Sequence, residues 1–182
     1  MSIRKTNGIA MLWGLLEASV FFVVPDVLLT LLATRSIRRA LRACVFALGG
    51  ALVGGVLMYG FAHYAPDTAR TVVAAVPAIN DALIASVQQQ TRQHGLLALF
   101  VGPLTGTPYK IYAVQAGVQG ISLLSFIAVS VPARLARFVA LVLLTFAISR
   151  ALQRCWTLRT IQRVLIACWS VFYVWYFFVM SG

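Results

Sequence analysis

Five ionisable residues stand inside stretches that are otherwise apolar: Glu17 and Asp26 near the N-terminus, and Lys110, Arg134 and Arg137 in the second half. A charge at the centre of hydrocarbon costs about 2.5–3.5 kcal/mol on insertion scales, so five left unpaired would cost about 12–17 kcal/mol. That is the size of a whole domain's stability. These residues must therefore be paired, hydrated or near an interface. By sign, the acids of the first apolar segment pair with the bases further along the chain. The set nets +1, and the surplus cation tilts the site toward an anionic ligand such as phosphate. Such a cluster can receive a charged headgroup, relay protons, or simply lock helices together through interior ion pairs.

The rest of the sequence sets the medium in which these charges sit. Of 182 residues, 61% are hydrophobic and 10% charged, with a mean hydropathy of +0.90. Soluble domains are about a quarter charged and under half apolar, so the expectation is a single integral membrane domain over residues 1–182. The net charge of +11 does not indicate nucleic acid, because the bases lie in short clusters between apolar runs, as positive-inside topology signals do. Arg4 and Lys5 precede an apolar stretch, but Glu17, Pro25 and Asp26 interrupt it, and a cleaved signal peptide is not expected.

The elements that must position the five charges follow from the apolar runs. Residues 9–34 form an apolar segment broken at Val24-Pro25-Asp26, where proline lacks an N–H and disfavours helix before it. Bases flank it on both sides (Arg4 and Lys5; Arg35, Arg38, Arg39 and Arg42). If both flanks are cytoplasmic, the segment enters and leaves on one face, as a re-entrant hairpin. Residues 44–64 read as a transmembrane helix, with Gly49, Gly50, Gly54 and Gly55 as a small-residue face for close packing. Residues 65–94 read as an external loop containing two prolines and an amphipathic helix from Ile79 to Gln93. Residues 95–120 repeat the first peculiarity: Gly102-Pro103-Leu104-Thr105-Gly106-Thr107-Pro108-Tyr109-Lys110 breaks an apolar segment, and irregular backbone at membrane depth survives only against protein or a water-filled cavity. This predicts a second re-entrant hairpin, entered from the outside. Residues 121–149 and 164–180 complete the set as transmembrane helices. The aromatic end of the last one (Trp169, Phe172, Tyr173, Trp175, Tyr176, Phe177, Phe178) reads as an interfacial belt.

The expected fold is thus all-α and integral to the membrane, an inverted repeat of two re-entrant helical hairpins plus transmembrane helices. Paired broken segments in corresponding halves point to a midplane site. Ten of the fifteen bases fall on the cytoplasmic side, two outside and three at membrane depth. No GxSxG elbow, HExxH pair or phosphate-binding glycine loop occurs, so neither an enzyme nor a cofactor is expected. Cys44, Cys155 and Cys168 lack metal-ligand spacing and read as small hydrophobes. His63 and His94 read as interfacial polar caps.

Several of these residues together resemble a known family. Glu17 followed by Pro25-Asp26, the glycine-rich helix through Tyr59-Gly60, His94-Gly95-Leu96-Leu97-Ala98-Leu99, a Gly/Pro-broken turn ending in Lys110, Ala116-Gly117 and the downstream arginines are similar to the DedA family. That family belongs to the VTT (SNARE-associated Golgi protein) superfamily, and the likeness is to its short YqaA-like branch, over Leu12 to Leu152. The resemblance implies opposed re-entrant hairpins and lipid translocation or proton-linked transport in a bacterial inner (cytoplasmic) membrane, as a multi-pass protein. It assigns proton coupling to Glu17 and Asp26, and phosphate binding to Lys110, Arg134 and Arg137. The sequence departs from the family in having Pro103 where an arginine is usual, Lys110 for another arginine, and no glycine beside Pro25-Asp26.

The function expected is a flippase or scramblase for a phosphate-bearing lipid, polyprenyl phosphate or phospholipid, with proton coupling as an option. The alternatives are a non-transporting membrane scaffold or assembly protein, and a small proton-coupled exporter. Its partners are membrane lipids, with room for a homodimer and none for nucleic acid. Single cysteines introduced at Lys5, Arg38 and Arg154 are expected to label from the cytoplasmic side of intact cells, and one at Asp81 from the outside. Labelling of positions 5 and 38 from opposite faces would overturn the first hairpin.

Overall fold

Long apolar runs bounded by arginines, interrupted twice by proline and glycine, fold into helices whose breaks fall where those interruptions stand. The computed structural model describes residues 3–19, 21, 23–76 and 79–180, together with their side chains except those of Phe177, Val179 and Met180. Among the described residues all regular structure is helical. The order is α1 (Ile3–Ser19), α2 (Asp26–Ala33), α3 (Ile37–Tyr64), α4 (Pro66–Ala74), α5 (Asp81–His94), α6 (Leu96–Val101), a 3-10 turn (Gly102–Leu104), α7 (Tyr109–Val118), α8 (Leu123–Leu152) and α9 (Leu158–Met180).

Both broken segments are helix–turn–helix units. The first breaks between Ser19 and Asp26, and Asp26 opens α2, where a carboxylate favours the partial positive charge of the helix start. The second breaks through the 3-10 turn and Gly106, whose φ of 97° is a left-handed conformation that glycine adopts without strain.

Several element boundaries differ from the sequence expectation. Helix α3 starts seven residues before residue 44 and α9 six before residue 164, because arginine is a good helix former. A basic cluster marks an edge of apolarity rather than an edge of helix. Residues 65–94 hold two helices instead of one, since Pro66 sits in the first turn of α4, where its missing N–H costs nothing. The amphipathic helix runs Asp81–His94, capped by Asn80, whose Oδ1 accepts from the Leu83 N–H at 2.8 Å. Pro77, one of the two prolines of that loop, lies outside the described residues. Pro132 is carried inside α8.

Helices α3 and α8 are long and apolar enough to cross a membrane, with 28 and 30 residues and best windows of mean hydropathy 1.9 and 2.0. They run antiparallel. Phe126, near the start of α8, stacks on Tyr59 near the end of α3, whereas Phe138 and Val142 join Ala40, Ala43, Cys44 and Ala47 near its start. The two broken segments divide α3 between them. Helix α1 lies parallel to its first half: Gly14 abuts Ala47, Gly50 abuts Met11 and Leu15, and Gly54 abuts Leu15 and Ala18. Helix α7 lies parallel to the second half, Tyr109 against Gly55 and Gly117 against Tyr59 and Ala62. The C-terminal end of α1 and the start of α7 therefore meet near the middle of α3. One apolar cluster forms at each end of the bundle.

The small-residue face is Gly50, Gly54 and Gly55, joined by Gly14 from α1. Gly49, also expected in it, faces open space. Outside the bundle, large apolar side chains are bare, including Val53 and Leu57 on α3, Leu143 and Ile148 on α8, and Val174 and Phe178 on α9, the last two 71% and 80% exposed.

A Cβ added to Gly50 meets the Met11 carbonyl and, at 2.9 Å, the Leu15 nitrogen, and both are backbone atoms that cannot swing aside. Gly50→Ala is expected to cost about 1–3 kcal/mol through overpacking. Gly49→Ala is expected to be neutral or stabilising by up to about 1 kcal/mol, from helix propensity alone. Thermal unfolding of the two purified variants checks the contrast.

Candidate functional site

The site forms where the two broken turns and the middle of α8 come together, between the two apolar clusters. Helix α8 presents Ser130, Arg134 and Arg137 there. Arg134 is buried and ion-paired with Glu17, the last turn of α1. Its guanidinium also lies over the Tyr109 ring, 4.4 Å from the centroid, and 5.3 Å from that of Phe138. This combination of carboxylate and aromatic face suits a planar guanidinium and not an ammonium. Tyr109 in turn donates to Ser130 Oγ at 2.9 Å.

Arg137 ties both turns together. One of its amino groups pairs with Asp26 Oδ2 at 2.5 Å, and the other donates to the Pro103 carbonyl at 3.1 Å. Lys110, in the first turn of α7, crosses the other way and donates to the Phe21 carbonyl at 2.7 Å. Each turn thus supplies a carbonyl to a cation borne outside its own hairpin. Phe21 lies outside the helices and Pro103 in the 3-10 turn, so neither carbonyl belongs to an α-helix.

All five residues singled out by the sequence are brought into one cluster. Their pairing is narrower than acids against any base: Glu17 takes Arg134 and Asp26 takes Arg137. Lys110 has no carboxylate within ion-pairing distance among the described residues. Two buried side-chain polar atoms keep no hydrogen-bond partner among the described residues, Asp26 Oδ1 and Arg134 Nε. His63 stacks on Tyr59 and His94 sits at the exposed end of α5, both outside the cluster.

Beside the cluster lies a cavity of about 670 Å³, within the range of small-ligand sites. Glu17, Asp26, Lys110 and Arg137 line its polar end, whereas Ala140, Leu141 and Leu144 of α8 and Leu165 of α9 form apolar walls. Arg134 stands behind Glu17 and does not line it.

The aromatic end of α9 departs from the belt expected of it. Trp169, Phe172, Tyr173 and Tyr176 face the cavity. Trp169 Nε1 donates to Thr30 Oγ1 and Tyr173 Oη accepts from the Val24 N–H, both at 3.0 Å. Gln162 secures the other end of α9 by donating to Thr34 Oγ1 at 3.0 Å. The signal was present in the spacing, since positions 169, 172, 173 and 176 form one helical stripe. Trp175 and Phe178 face outward, and the Phe177 side chain lies outside the described residues. Cys168 also lines the cavity and is exposed, as is Cys155; of the three cysteines only Cys44 is buried as a small hydrophobe.

Comparison with known proteins adds little to this geometry. No family model matches the chain, and no solved structure matches it. A protein of Haemophilus influenzae named only as an uncharacterized protein is 28% identical over 123 residues, which is 68% of this chain. The matched region spans 63% of that relative's length.

Neutralising one partner of a buried ion pair leaves the other charge uncompensated and costs about 3–5 kcal/mol, whereas replacing both partners is often near neutral. Glu17→Gln and Arg134→Gln are each expected to destabilise the chain on that scale, and the double variant to recover most of the loss. Denaturant or thermal unfolding of the four proteins in a double-mutant cycle checks this. Additive losses would mean that the pair is not coupled.

Proposed function

We propose that this chain is a multi-pass protein of a bacterial inner membrane, of DedA/VTT type, that moves a phosphate-bearing lipid between leaflets. Its two broken segments act as re-entrant hairpins from opposite faces, related as an inverted repeat. The observation that carries this reading is the charge cluster at the meeting point of the two turns, lining a cavity with apolar walls. A headgroup can exchange contacts with the charges while its chains remain between α8 and α9. The bare apolar faces of α3, α8 and α9 support a lipid surround. The gathering of ten bases at one end of the bundle supports the cytoplasmic orientation.

In this mechanism Lys110, which has no carboxylate partner among the described residues, makes the first contact with phosphate. Arg137 joins it when Asp26 lets go. A proton on Asp26 weakens its hold on Arg137 and frees that guanidinium for the headgroup, so that proton and lipid movements are linked through one residue. Arg134, held by Glu17 and two rings, serves as the fixed post against which the first hairpin is set. A second reading, a non-transporting scaffold with purely structural ion pairs, is favoured by the neutralisation of both arginines by acids. Under that reading a charge-swapped Asp26→Arg/Arg137→Asp protein restores folding and phenotype together.

The test is headgroup translocation in proteoliposomes. Loss of one charged hydrogen bond is worth about 1.5–3 kcal/mol, so Lys110→Met is expected to slow lipid movement by roughly tenfold or more. It is also expected to lower thermal stability through the lost Phe21 contact, so the rates are compared on folded, reconstituted protein. A flip rate unaffected by Lys110→Met would remove the site assignment.

A further inference from the structure

At the end of the bundle where α3 begins, three stretches of chain meet: the link from α2 to α3, the end of α8 and the start of α9. Gln153, just past α8, donates to the Thr34 carbonyl at 3.4 Å, and Gln162 of α9 donates to Thr34 Oγ1 at 3.0 Å. Arg35 in turn donates to Gln162 Oε1 at 3.2 Å. Arginines stand around this neutral hub. Arg154 follows Gln153, Arg163 follows Gln162, and Arg159 lies one turn before Gln162 on the same side of α9. These four arginines are exposed, and none has a carboxylate within ion-pairing distance among the described residues. The acids of the chain are elsewhere. Glu17 and Asp26 are held by α8, whereas Asp67 and Asp81 open α4 and α5 beyond the other end of α3.

The planar fork of arginine matches phosphate oxygens two at a time, and Arg35 spends its donors on a neutral amide. Charge alone would suit any soluble anion. Here, however, bare apolar side chains adjoin the arginines in sequence: Trp156 in the link after α8, and Leu158, Val164 and Ile166 on α9. A tryptophan between bases and apolar surface marks a membrane boundary, and basic pockets between helix ends hold anionic lipid heads. From this juxtaposition we infer that the hub binds an anionic phospholipid. Its phosphate bridges Arg35 to Arg154 and Arg159, and its chains lie on the apolar surface next to them. None of these arginines lines the cavity, so this site is separate from the one between the two turns. A phosphate held there clamps the start of α9 to α2 and α8, and with it one wall of the cavity. The inference rests on the membrane setting of the chain and is independent of transport.

The test is thermal unfolding of the full-length protein in detergent, titrated with lipid. Phosphatidylglycerol is expected to stabilise it at roughly tenfold lower concentration than phosphatidylcholine, and added salt to narrow that gap. The double variant Arg35→Gln/Arg159→Gln should level the preference. Arg4→Gln/Lys5→Gln removes the same charge from α1 and should leave the preference intact. Arg154→Gln should weaken the preference without touching the Gln162 contact, and it keeps the test usable if the double variant does not fold. Equal stabilisation by the two lipids overturns the proposal, as does a preference lost to the same extent in the α1 variant. Equal stabilisation by glycerol phosphate or polyglutamate, which carry charge but no chains, also overturns it and leaves a soluble anion. Release of the chain from cell membranes by alkaline carbonate removes the membrane setting and this site together. Retention in the membrane without a lipid preference removes this site alone.

Discussion

Charges that cannot reach water have to find one another, and in this protein the partners come from different helices. Glu17 ends α1, Asp26 opens α2, and both are met by arginines one turn apart on α8. The three-residue separation of Arg134 and Arg137 puts them on neighbouring positions of one helix face, so α8 can hold both sides of the first broken turn at once. Removing either arginine would leave an acid stranded between two apolar clusters. The closeness of the two turns is therefore an electrostatic requirement as well as a packing result.

Glycine does the complementary work on the other side. Helices α1 and α7 must lie close to α3 for their ends to meet near its middle, and Gly14, Gly50, Gly54, Gly55 and Gly117 remove the side chains that would hold them off. Apolar surface gains little by leaving lipid for protein, so helices in a bilayer associate through such close contact and through polar pairs. The same two devices, small residues on α3 and ion pairs on α8, would serve a membrane bundle on the proposed reading.

The cavity sits where these devices leave the backbone irregular. Its polar end is made of the groups that hold the turns together, so any ligand there competes with structural contacts of the protein itself. That coupling gives a physical route from occupancy to a change in how the turns are seated. It also accounts for the division of labour among the cations. Arg134 is fixed by a carboxylate and two rings, Arg137 is partly open and bridges, and Lys110 holds one backbone carbonyl with the remaining capacity of its ammonium.

Composition alone dictated helices, because a chain this apolar with prolines and glycines at two central breaks has few other ways to satisfy its backbone. The five charges were legible for the same reason: an ion in an apolar run stands out whatever the fold. The partners of those ions were not legible, since pairing depends on the rotation of α8 about its axis and on the depth of each turn, which are set by contacts more than a hundred residues apart in sequence. The helical nature of residues 66–74 was hidden by a proline that ends helices in most positions and starts them in one. The stripe 169, 172, 173 and 176 was readable as one helix face, but only the docking of α9 on α2 decided that this face looks into a cavity. A sequence fixes the period of a helix, and its neighbours fix the direction in which it points.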